Sequence, residues 1–264
     1  MSYFHYQNIQ SVYVHGPDCI AFLQGQLSND LGKLGPSNRL QLNALCNQKG
    51  RVIGLFFTYY IGENALILAL PMNHVDFILA ALRKYAVFSK ITFEPTDQYH
   101  LIYSDTKTIL SQLNSLYQHT IINQGLLEDV TSNHSALSDL QIQQQNICQQ
   151  LPWIDAKNSE RFLPLELNLD QWHAVSYNKG CFMGQEIIAR MKYRGNLKKR
   201  LLSVTVDPQL PKMDKLYNPQ KKAIAEVVNQ VTIDNKTYLL AVFNHLADDN
   251  NIVLAGDLKA SIIA

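Results

Sequence analysis

Two strand-length apolar runs on either side of a two-residue turn constrain the fold of this chain more than any other feature. Residues 51–61 and 64–70 are rich in Ile, Leu, Phe and Tyr, and Gly62 and Glu63 lie between them. Large aliphatic and aromatic residues suit strands, and a glycine-containing turn between two such runs indicates a hairpin. We therefore predict an antiparallel sheet here, extended by a further strand over residues 40–46.

Helical patterns lie before and after this hairpin. Residues 16–18 are Gly-Pro-Asp, which predicts a helix start because proline is tolerated and an acid is favoured in the first turn. Apolar residues at helical spacing predict a second helix after Pro71, and further helices are predicted over residues 107–117 and 141–150. Strands alternating with helices favour the α+β class, with helices packed on mainly antiparallel sheet.

From residue 201 the pattern changes to short strands. They are predicted over residues 202–206, 223–229, 231–234, 238–244 and 252–254. Short strands separated by turn residues predict an all-β C-terminal unit, a small β-barrel. We expect three parts: an α+β domain over residues 1–105, a second α+β part over 106–196, and the barrel over 197–264.

Composition narrows the classes of function. The 264 residues are 47% hydrophobic and only 17% charged, with a net charge of +1. Such a balance gives no reason to expect nucleic acid or an anionic membrane as the main partner. The first residues lack the basic-then-apolar order of a signal peptide, and no apolar run is long enough to span a bilayer. We therefore expect a cytoplasmic protein.

The four cysteines give no sign of a metal site. Cys19, Cys46, Cys148 and Cys181 are widely spaced, and no two form a C-x-x-C pair. Zinc and iron–sulfur sites are usually marked by such local spacing, so we expect no bound metal and reduced thiols. The first three cysteines lie in apolar or amphipathic patterns, which indicate burial.

Cys181 lies in a different setting, within the sequence Lys-Gly-Cys-Phe-Met-Gly-Gln-Glu at residues 179–186. A lysine two residues before a thiol and a helix start shortly after it both favour the thiolate. Cys181 is therefore a candidate nucleophile or redox thiol. The alternative is a small buried residue in a tight turn.

The neighbours of this thiol each have two interpretations. Gly180 and Gly184 either let a ligand approach the backbone or form a plain turn. Lys179 either pairs with a ligand carboxylate or is solvated. Gln185 and Glu186 either contact a ligand or cap the helix that follows.

Two further features lie outside this segment. Glu166 is embedded in the apolar, strand-like residues 162–167, where it either holds a ligand or is exposed on an edge strand. Residues 190–200 hold six cations, and a solvated face is the default interpretation. Because Tyr193 alone interleaves them, they lack the aromatic residues of a typical RNA-stacking platform.

Four ordered blocks of the sequence resemble the YgfZ family. They are FLQGQLSND at residues 22–30, CNQKGR at 46–51, FLPLELNLD at 162–170, and the complete KGCFMGQE signature, which AR-x-x-YRG follows at 189–195. The family is related to the folate-binding T-protein of the glycine cleavage system. The resemblance implies a T-protein-like fold, tetrahydrofolate as the cofactor, and a role in iron–sulfur cluster assembly or repair. Assembly proteins or client enzymes are the implied partners, including enzymes of tRNA modification.

The resemblance also implies roles for single residues. Cys181 is implied to be the reactive residue, and Glu166 stands where a T-protein glutamate holds the pterin through two parallel hydrogen bonds. The cations of 190–200 are implied to receive the glutamate tail of folate, with Tyr193 against its p-aminobenzoyl ring. The implied folate-binding residues are Glu166, Lys179, Gly184, Gln185, Glu186, Arg190, Tyr193 and Arg194.

One departure from the T-protein bears on activity. The T-protein has its catalytic aspartate at the acidic end of an N-E-x-G-G-x-x-D-D stretch, where this chain has Gly54 and Leu55. The resemblance thus implies folate binding without aminomethyl transfer. Two alternatives remain: a folate-dependent one-carbon transferase, and a tRNA-binding protein that uses residues 190–200.

Overall fold

The computed structural model describes residues 2–104, 118–195, 198–207, 209–244, 251–254 and 258–263. The helix predicted over residues 107–117 lies outside this described part. The chain divides into two compact units with interleaved segments. The first comprises Met1–Leu137, Ile154–Arg161 and Asp170–Ile187, and the second comprises Ser138–Trp153, Phe162–Leu169 and Ile188–Ala264. The division predicted at residues 105 and 196 stays a prediction.

The larger sheet of the first unit is five-stranded and antiparallel. Its strands are β2 (Ile9–His15), β3 (Leu40–Cys46), β4 (Val52–Gly62), β5 (Ala65–Pro71) and β6 (Thr92–Thr96), in the order β3-β4-β5-β2-β6. The predicted hairpin is confirmed as β4 and β5. Burial of both faces of β3 and of most of β4 explains why these strands are almost continuously apolar.

Two helices cover this sheet. α1 (Cys19–Gln26) begins directly after the predicted Gly-Pro-Asp start, and α2 (Val75–Arg83) begins four residues after Pro71. The delay arises because Pro71 is the last residue of β5, and its carbonyl accepts from His74 N–H in an intervening turn. Leu23 of α1 and Ile78 of α2 are fully buried in the core formed with this sheet.

A second sheet completes the first unit. β1 (Ser2–His5), β7 (Tyr99–Ser104), β8 (His119–Asn123) and β9 (Ser135–Ala136) form it in the order β8-β7-β1-β9. β1 and β9 pair in parallel, whereas its other pairs are antiparallel. α3 (Gln124–Asn133) follows β8 and begins at Asn123, whose side chain accepts a hydrogen bond from Leu126 N–H.

The second unit is built on a six-stranded antiparallel sheet. Its strands are β10 (Arg200–Val206), β11 (Lys215–Tyr217), β12 (Ala223–Ile233), β13 (Lys236–Phe243), β14 (Asn251–Leu254) and β15 (Leu258–Ile262), in the order β11-β12-β13-β10-β15-β14. The predicted barrel is thus a curled sheet, and β11 and β14 form its edges within the described residues. β12 is one bulged strand where two were predicted.

Two helices accompany this sheet. α4 (Asp139–Cys148) packs against β12 and begins with a capping box between Ser138 and Gln141. α5 (Gln185–Arg194) precedes β10 in the chain. The α+β class with mainly antiparallel sheets is confirmed. None of the described helices combines the length and apolarity needed to cross a membrane.

Candidate functional site

The loop of residues 179–184 is held in the first unit by Lys179. Its ammonium donates hydrogen bonds to the carbonyls of Gln24 at 2.6 Å, Leu27 at 2.8 Å and Asn29 at 2.7 Å. A lysine has three donors, so all of them bind backbone near the C-terminal end of α1, where a cation is favourable. This geometry corrects both sequence interpretations, because the ammonium is neither solvated nor available to a folate carboxylate.

Burial changes the acid–base behaviour of Lys179. Desolvation lowers its pKa from 10.5 to about 8, and the nearby carboxylate of Asp30 opposes this shift. The ammonium also lies 5.2 Å from the centroid of the Phe182 ring, which is buried. Lys179 and Phe182 thus anchor the two sides of the turn that carries Cys181.

Gly184 holds the other end of the loop. Its φ is +77°, and a Cβ at this position would lie 2.5 Å from the carbonyl oxygen of Asn47 and 2.8 Å from Cα of Gly50. Glycine is therefore required twice, by the backbone angle and by the close approach. A Cβ at Gly180, by contrast, would have no neighbour within 4 Å. Of the two interpretations, the plain structural one fits Gly184.

Three of the four sequence blocks meet around this loop in the first unit. The block at 46–51 contacts it through Gly184, as described. The block at 22–30 contacts it through Met183 N–H, which donates to Gly25 carbonyl at 3.2 Å. Just before the loop, Ser176 N–H donates to Ser28 carbonyl of the same block at 2.9 Å. These separate blocks are thus brought together in the first unit beside the loop 179–184.

Cys181 is the exposed member of the four cysteines. Cys19 and Cys46 are buried, and burial raises the pKa of each to about 12. Cys148 is half-buried, and burial raises its pKa as well. The buried interpretation of Cys181 is therefore wrong, while its role as the reactive residue stays a prediction.

Glu166 belongs to the second unit and lies in a turn, so the predicted strand is wrong. The N–H groups of Leu167 and Leu169 bind carbonyls three to five residues earlier in the chain. The alternating apolar pattern resembles a strand, but Pro164 supplies no backbone donor and Asn168 has a φ of +54°. Both features favour a turn.

The carboxylate of Glu166 faces inward. The residue is only 9% exposed, which also excludes the edge-strand alternative. One oxygen accepts a hydrogen bond from Leu163 N–H at 2.9 Å, and the other lies 4.0 Å from Lys199 Nζ. Lys199 also lies 3.4 Å from Glu226. Lys199 lies in the cation run at 190–200, but nothing in its sequence spacing indicates that it pairs with Glu166.

α5 carries the remaining predicted residues. Arg190 follows Glu186 by four residues, and Tyr193 and Arg194 follow Arg190 by three and four, so they lie along one side of the helix. All four are exposed. Glu186 in the first turn and Arg194 in the last complement the helix dipole, which fits the capping alternative for Glu186. Gln185 begins the helix, and its N–H donates to the carbonyl of Phe182.

The two compact units divide the predicted site residues between them. Lys179, Cys181, Gly184, Gln185 and Glu186 lie in the first unit, and Glu166, Arg190, Tyr193 and Arg194 lie in the second. In the first, the loop residues come together with the blocks at 22–30 and 46–51. In the second, Glu166 comes together with Lys199.

Gly54 and Leu55, which stand where the T-protein has its acidic pair, are both buried in β4. Gly54 lies in β4, and a Cβ there would come within 2.7 Å of the Ile78 side chain in α2. Leu55 beside it is 5% exposed. A side chain at position 54 would therefore have to displace the end of the Ile78 side chain. Among the described residues, no group of three or more His, Cys, Asp or Glu side chains is arranged to hold a metal ion.

Comparisons with known proteins agree with this architecture. No family model matches the chain. It is 31% identical over 217 residues to the tRNA-modifying protein YgfZ of Pectobacterium atrosepticum, across 70% of this chain and 65% of the relative. It is 31% identical over 221 residues to the tRNA-modifying protein YgfZ of Yersinia pestis (strain Pestoides F), across 72% of this chain and 66% of the relative. The chain thus spans just under two thirds of the length of these curated relatives.

A solved structure extends the comparison to the whole chain. The glycine cleavage system aminomethyltransferase T from Bartonella henselae matches with a TM-score of 0.76, covering 100% of this chain and 85% of that one. The sequences are 12% identical, so this likeness shows the fold alone. By its matched relatives and this architecture, the chain belongs to the YgfZ/T-protein-like family.

Proposed function

We propose that this protein binds tetrahydrofolate and supports tRNA modification by assisting iron–sulfur cluster assembly or repair in client enzymes, with Cys181 as the reacting group. The observation that carries the proposal is the exposed thiol of Cys181 on a loop that Lys179 and Gly184 fix at both ends. The relatives named as tRNA-modifying proteins support tRNA modification as the process in which the protein acts. Such clients would place the protein in the cytoplasm.

The fixed loop suits a reacting thiol. The donors of Lys179 and the close contact at Gly184 hold the backbone on both sides of Cys181. A group held in one geometry loses little conformational freedom when it meets its reaction partner. The other three cysteines lack this combination, because each is buried or half-buried.

Glu166 supports the folate part of the proposal. A pterin presents adjacent N–H donors, and an ionised carboxylate can accept two parallel hydrogen bonds from them. The hydrogen bond from Leu163 N–H fixes the orientation of the carboxylate, and Lys199 places a positive charge 4.0 Å from the other oxygen. On α5, Arg190 and Arg194 offer cations for the glutamate tail, and Tyr193 is 70% exposed.

The lack of an acidic residue at positions 54 and 55 argues against the one-carbon transferase alternative. Aminomethyl transfer in the T-protein depends on an aspartate that this chain replaces with Gly54 and Leu55. Folate would then act as a bound ligand and not as the acceptor of the one-carbon unit that remains when an aminomethyl group releases ammonia.

The thiol is tested in cells that lack the endogenous protein. Wild type, Cys181→Ala and Cys148→Ala are expressed, and modified nucleosides in hydrolysed tRNA are measured by mass spectrometry. We expect Cys181→Ala to fold and bind tetrahydrofolate normally but to lose the modification, whereas Cys148→Ala retains it. Full support of modification by Cys181→Ala would overturn the role of the thiol.

The ligand is tested separately by calorimetric titration with tetrahydrofolate. Glu166→Ala should weaken binding by about 1.5–3 kcal/mol for each charge-assisted hydrogen bond lost. Glu226→Gln is the matched control, since it also touches Lys199 but leaves the carboxylate of Glu166 in place. No heat of binding by the wild type at high micromolar ligand would refute the folate part of the proposal.

A further inference from the structure

Exposed apolar side chains are concentrated on one short segment of the first unit. Ten large apolar residues are exposed in the described part of the chain, and five of them lie between residues 72 and 88. They are Met72, Phe77, Tyr85, Val87 and Phe88. Phe88 is 99% exposed and Val87 is 74% exposed, which is unusual for large side chains outside an interaction site.

The segment is continuous along α2 and the residues that follow it. Phe77, Ala80 and Lys84 are spaced by three and four residues, so they share the exposed outer face of the helix. Residues 84–90, which we call the docking loop, extend this surface past the end of α2. A groove of about 370 Å³ borders the other end of the helix and is lined by Met72 and Phe77.

The docking loop is held firmly by its backbone. Ala86 N–H donates to Arg83 carbonyl at 3.1 Å, and Ser89 N–H donates to Ala86 carbonyl at 2.9 Å. At its end, Lys90 N–H donates to the carboxylate of Asp18 at 2.7 Å, and Lys90 carbonyl packs against Gly16, whose φ is +134°. Phe88 therefore lies on a hydrogen-bonded turn, whose backbone has little conformational freedom left to lose on binding.

The exposed charges around this apolar surface indicate what kind of partner would bind it. Arg83, Lys84 and Lys90 are all exposed and border the apolar tip at Val87 and Phe88. Aromatic residues, Met and Arg are the types enriched in protein–protein interfaces, with buried aromatic anchors near the centre. We propose that the docking loop and the outer face of α2 bind a protein partner whose apolar contact surface is bordered by carboxylates.

The same residues fit RNA or a membrane less well. Base stacking uses flat rings, and two of the five exposed apolar residues, Val87 and Met72, have no ring on which a base could stack. Asp76 and Glu160 line the groove at the other end of α2, where their carboxylates repel any anionic group, phosphates and headgroups included. The carboxylates of the proposed partner therefore border the tip, beside Lys84 and Lys90, and do not enter this groove. This interaction does not depend on the role of Cys181, so either proposal can fail without the other.

The inference is tested by photo-crosslinking in cells. A benzoylphenylalanine replaces Phe88, and a matched variant carries it at Leu126, which is 42% exposed on α3 of the same unit. We expect a discrete protein adduct from position 88 alone, mapped by mass spectrometry to an apolar surface flanked by Asp or Glu. Adding Lys84→Glu and Lys90→Glu should reduce this adduct about tenfold. Charges at the border of an interface govern how fast the two proteins meet and how their surfaces align.

The remaining outcomes each overturn the inference. They are no adduct, an equal adduct from position 126, an adduct with a second copy of this chain, a nuclease-sensitive RNA adduct and a lipid adduct. An adduct that persists at full yield in the double charge-reversal variant would also overturn it. Circular dichroism and thermal unfolding of the purified variants verify that each remains folded.

Discussion

Two short segments without regular secondary structure contain the centres of the predicted chemistry, and they are built in opposite ways. In residues 179–184 the side chains of Lys179 and Phe182 point inward, whereas Cys181 is exposed. In residues 162–169 the candidate itself, Glu166, points inward and is held by Leu163 and Lys199. A sequence motif therefore does not reveal which of its members are free to react.

The comparison also separates two ways of accommodating a charge away from water. Lys179 is surrounded by three uncharged carbonyls, and its pKa falls. Glu166 has one backbone donor and an opposite charge nearby. The first arrangement holds a loop in place, whereas the second leaves one carboxylate oxygen with an ion pair at 4.0 Å.

The largest expected difference is in thiol reactivity. Under native conditions iodoacetamide should label Cys181 at least about a thousandfold faster than Cys19 or Cys46, because buried thiols react only after the chain opens. Cys148 should be intermediate, since it is half-buried. Peptide mass spectrometry over a time course measures each rate. Equal rates for Cys181 and Cys46 in the folded protein would contradict the exposed loop.

Removal of the Lys179 ammonium should have the next largest effect. Lys179→Met leaves three carbonyls without their donor, and we expect a loss of about 3 kcal/mol in the free energy of unfolding. Urea unfolding measures the change, and the exposed Lys33→Met is the control, for which a change within about 0.5 kcal/mol is expected. Equal losses in the two variants would show that the three hydrogen bonds contribute nothing specific.

Lys179 should also make stability depend on pH. Its pKa is lowered to about 8, so above that pH the native chain has released a proton that the unfolded chain keeps up to about 10.5. The unfolded state binds more protons in this window, so the contribution of Lys179 to stability rises with pH from 8 to 10.5. The difference between wild type and Lys179→Met isolates this slope from other groups. Parallel curves for the two proteins would contradict the lowered pKa.

Local patterns were sufficient where the structure depends on local rules. The hairpin of β4 and β5 follows from two apolar runs and a short turn, and the start of α1 follows from Gly-Pro-Asp. The same rules misjudged residues 162–167, because alternation alone does not distinguish a strand from a turn fixed by Pro164 and Asn168. The role of Lys179 required contacts about 150 residues away in sequence, which no spacing reveals.

Gly184 is expected to be more sensitive than Gly180, although both flank Cys181. Gly184→Ala forces a Cβ to within 2.5 Å of Asn47 carbonyl at a φ of +77°, and we expect a loss of about 2 kcal/mol. Gly180→Ala is the matched control, since its Cβ would meet nothing within 4 Å. Thermal and urea unfolding of both variants give the comparison. A destabilised Gly180→Ala beside an unaffected Gly184→Ala would reverse the account of which glycine supports the loop.

The smallest expected effect is the coupling of Glu166 to Lys199. At 4.0 Å and with Lys199 partly exposed, this pair should contribute about 0.5–1 kcal/mol to stability. A double-mutant cycle with Glu166→Gln and Lys199→Met measures it, and glutamine retains an oxygen that accepts from Leu163 N–H. A parallel cycle on Glu226 and Lys199, at 3.4 Å, shows which carboxylate the lysine favours. A coupling near zero for Glu166 together with a large one for Glu226 would mean that Lys199 pairs with the carboxylate of Glu226 in β12. The carboxylate of Glu166 would then be held by Leu163 N–H and not by Lys199.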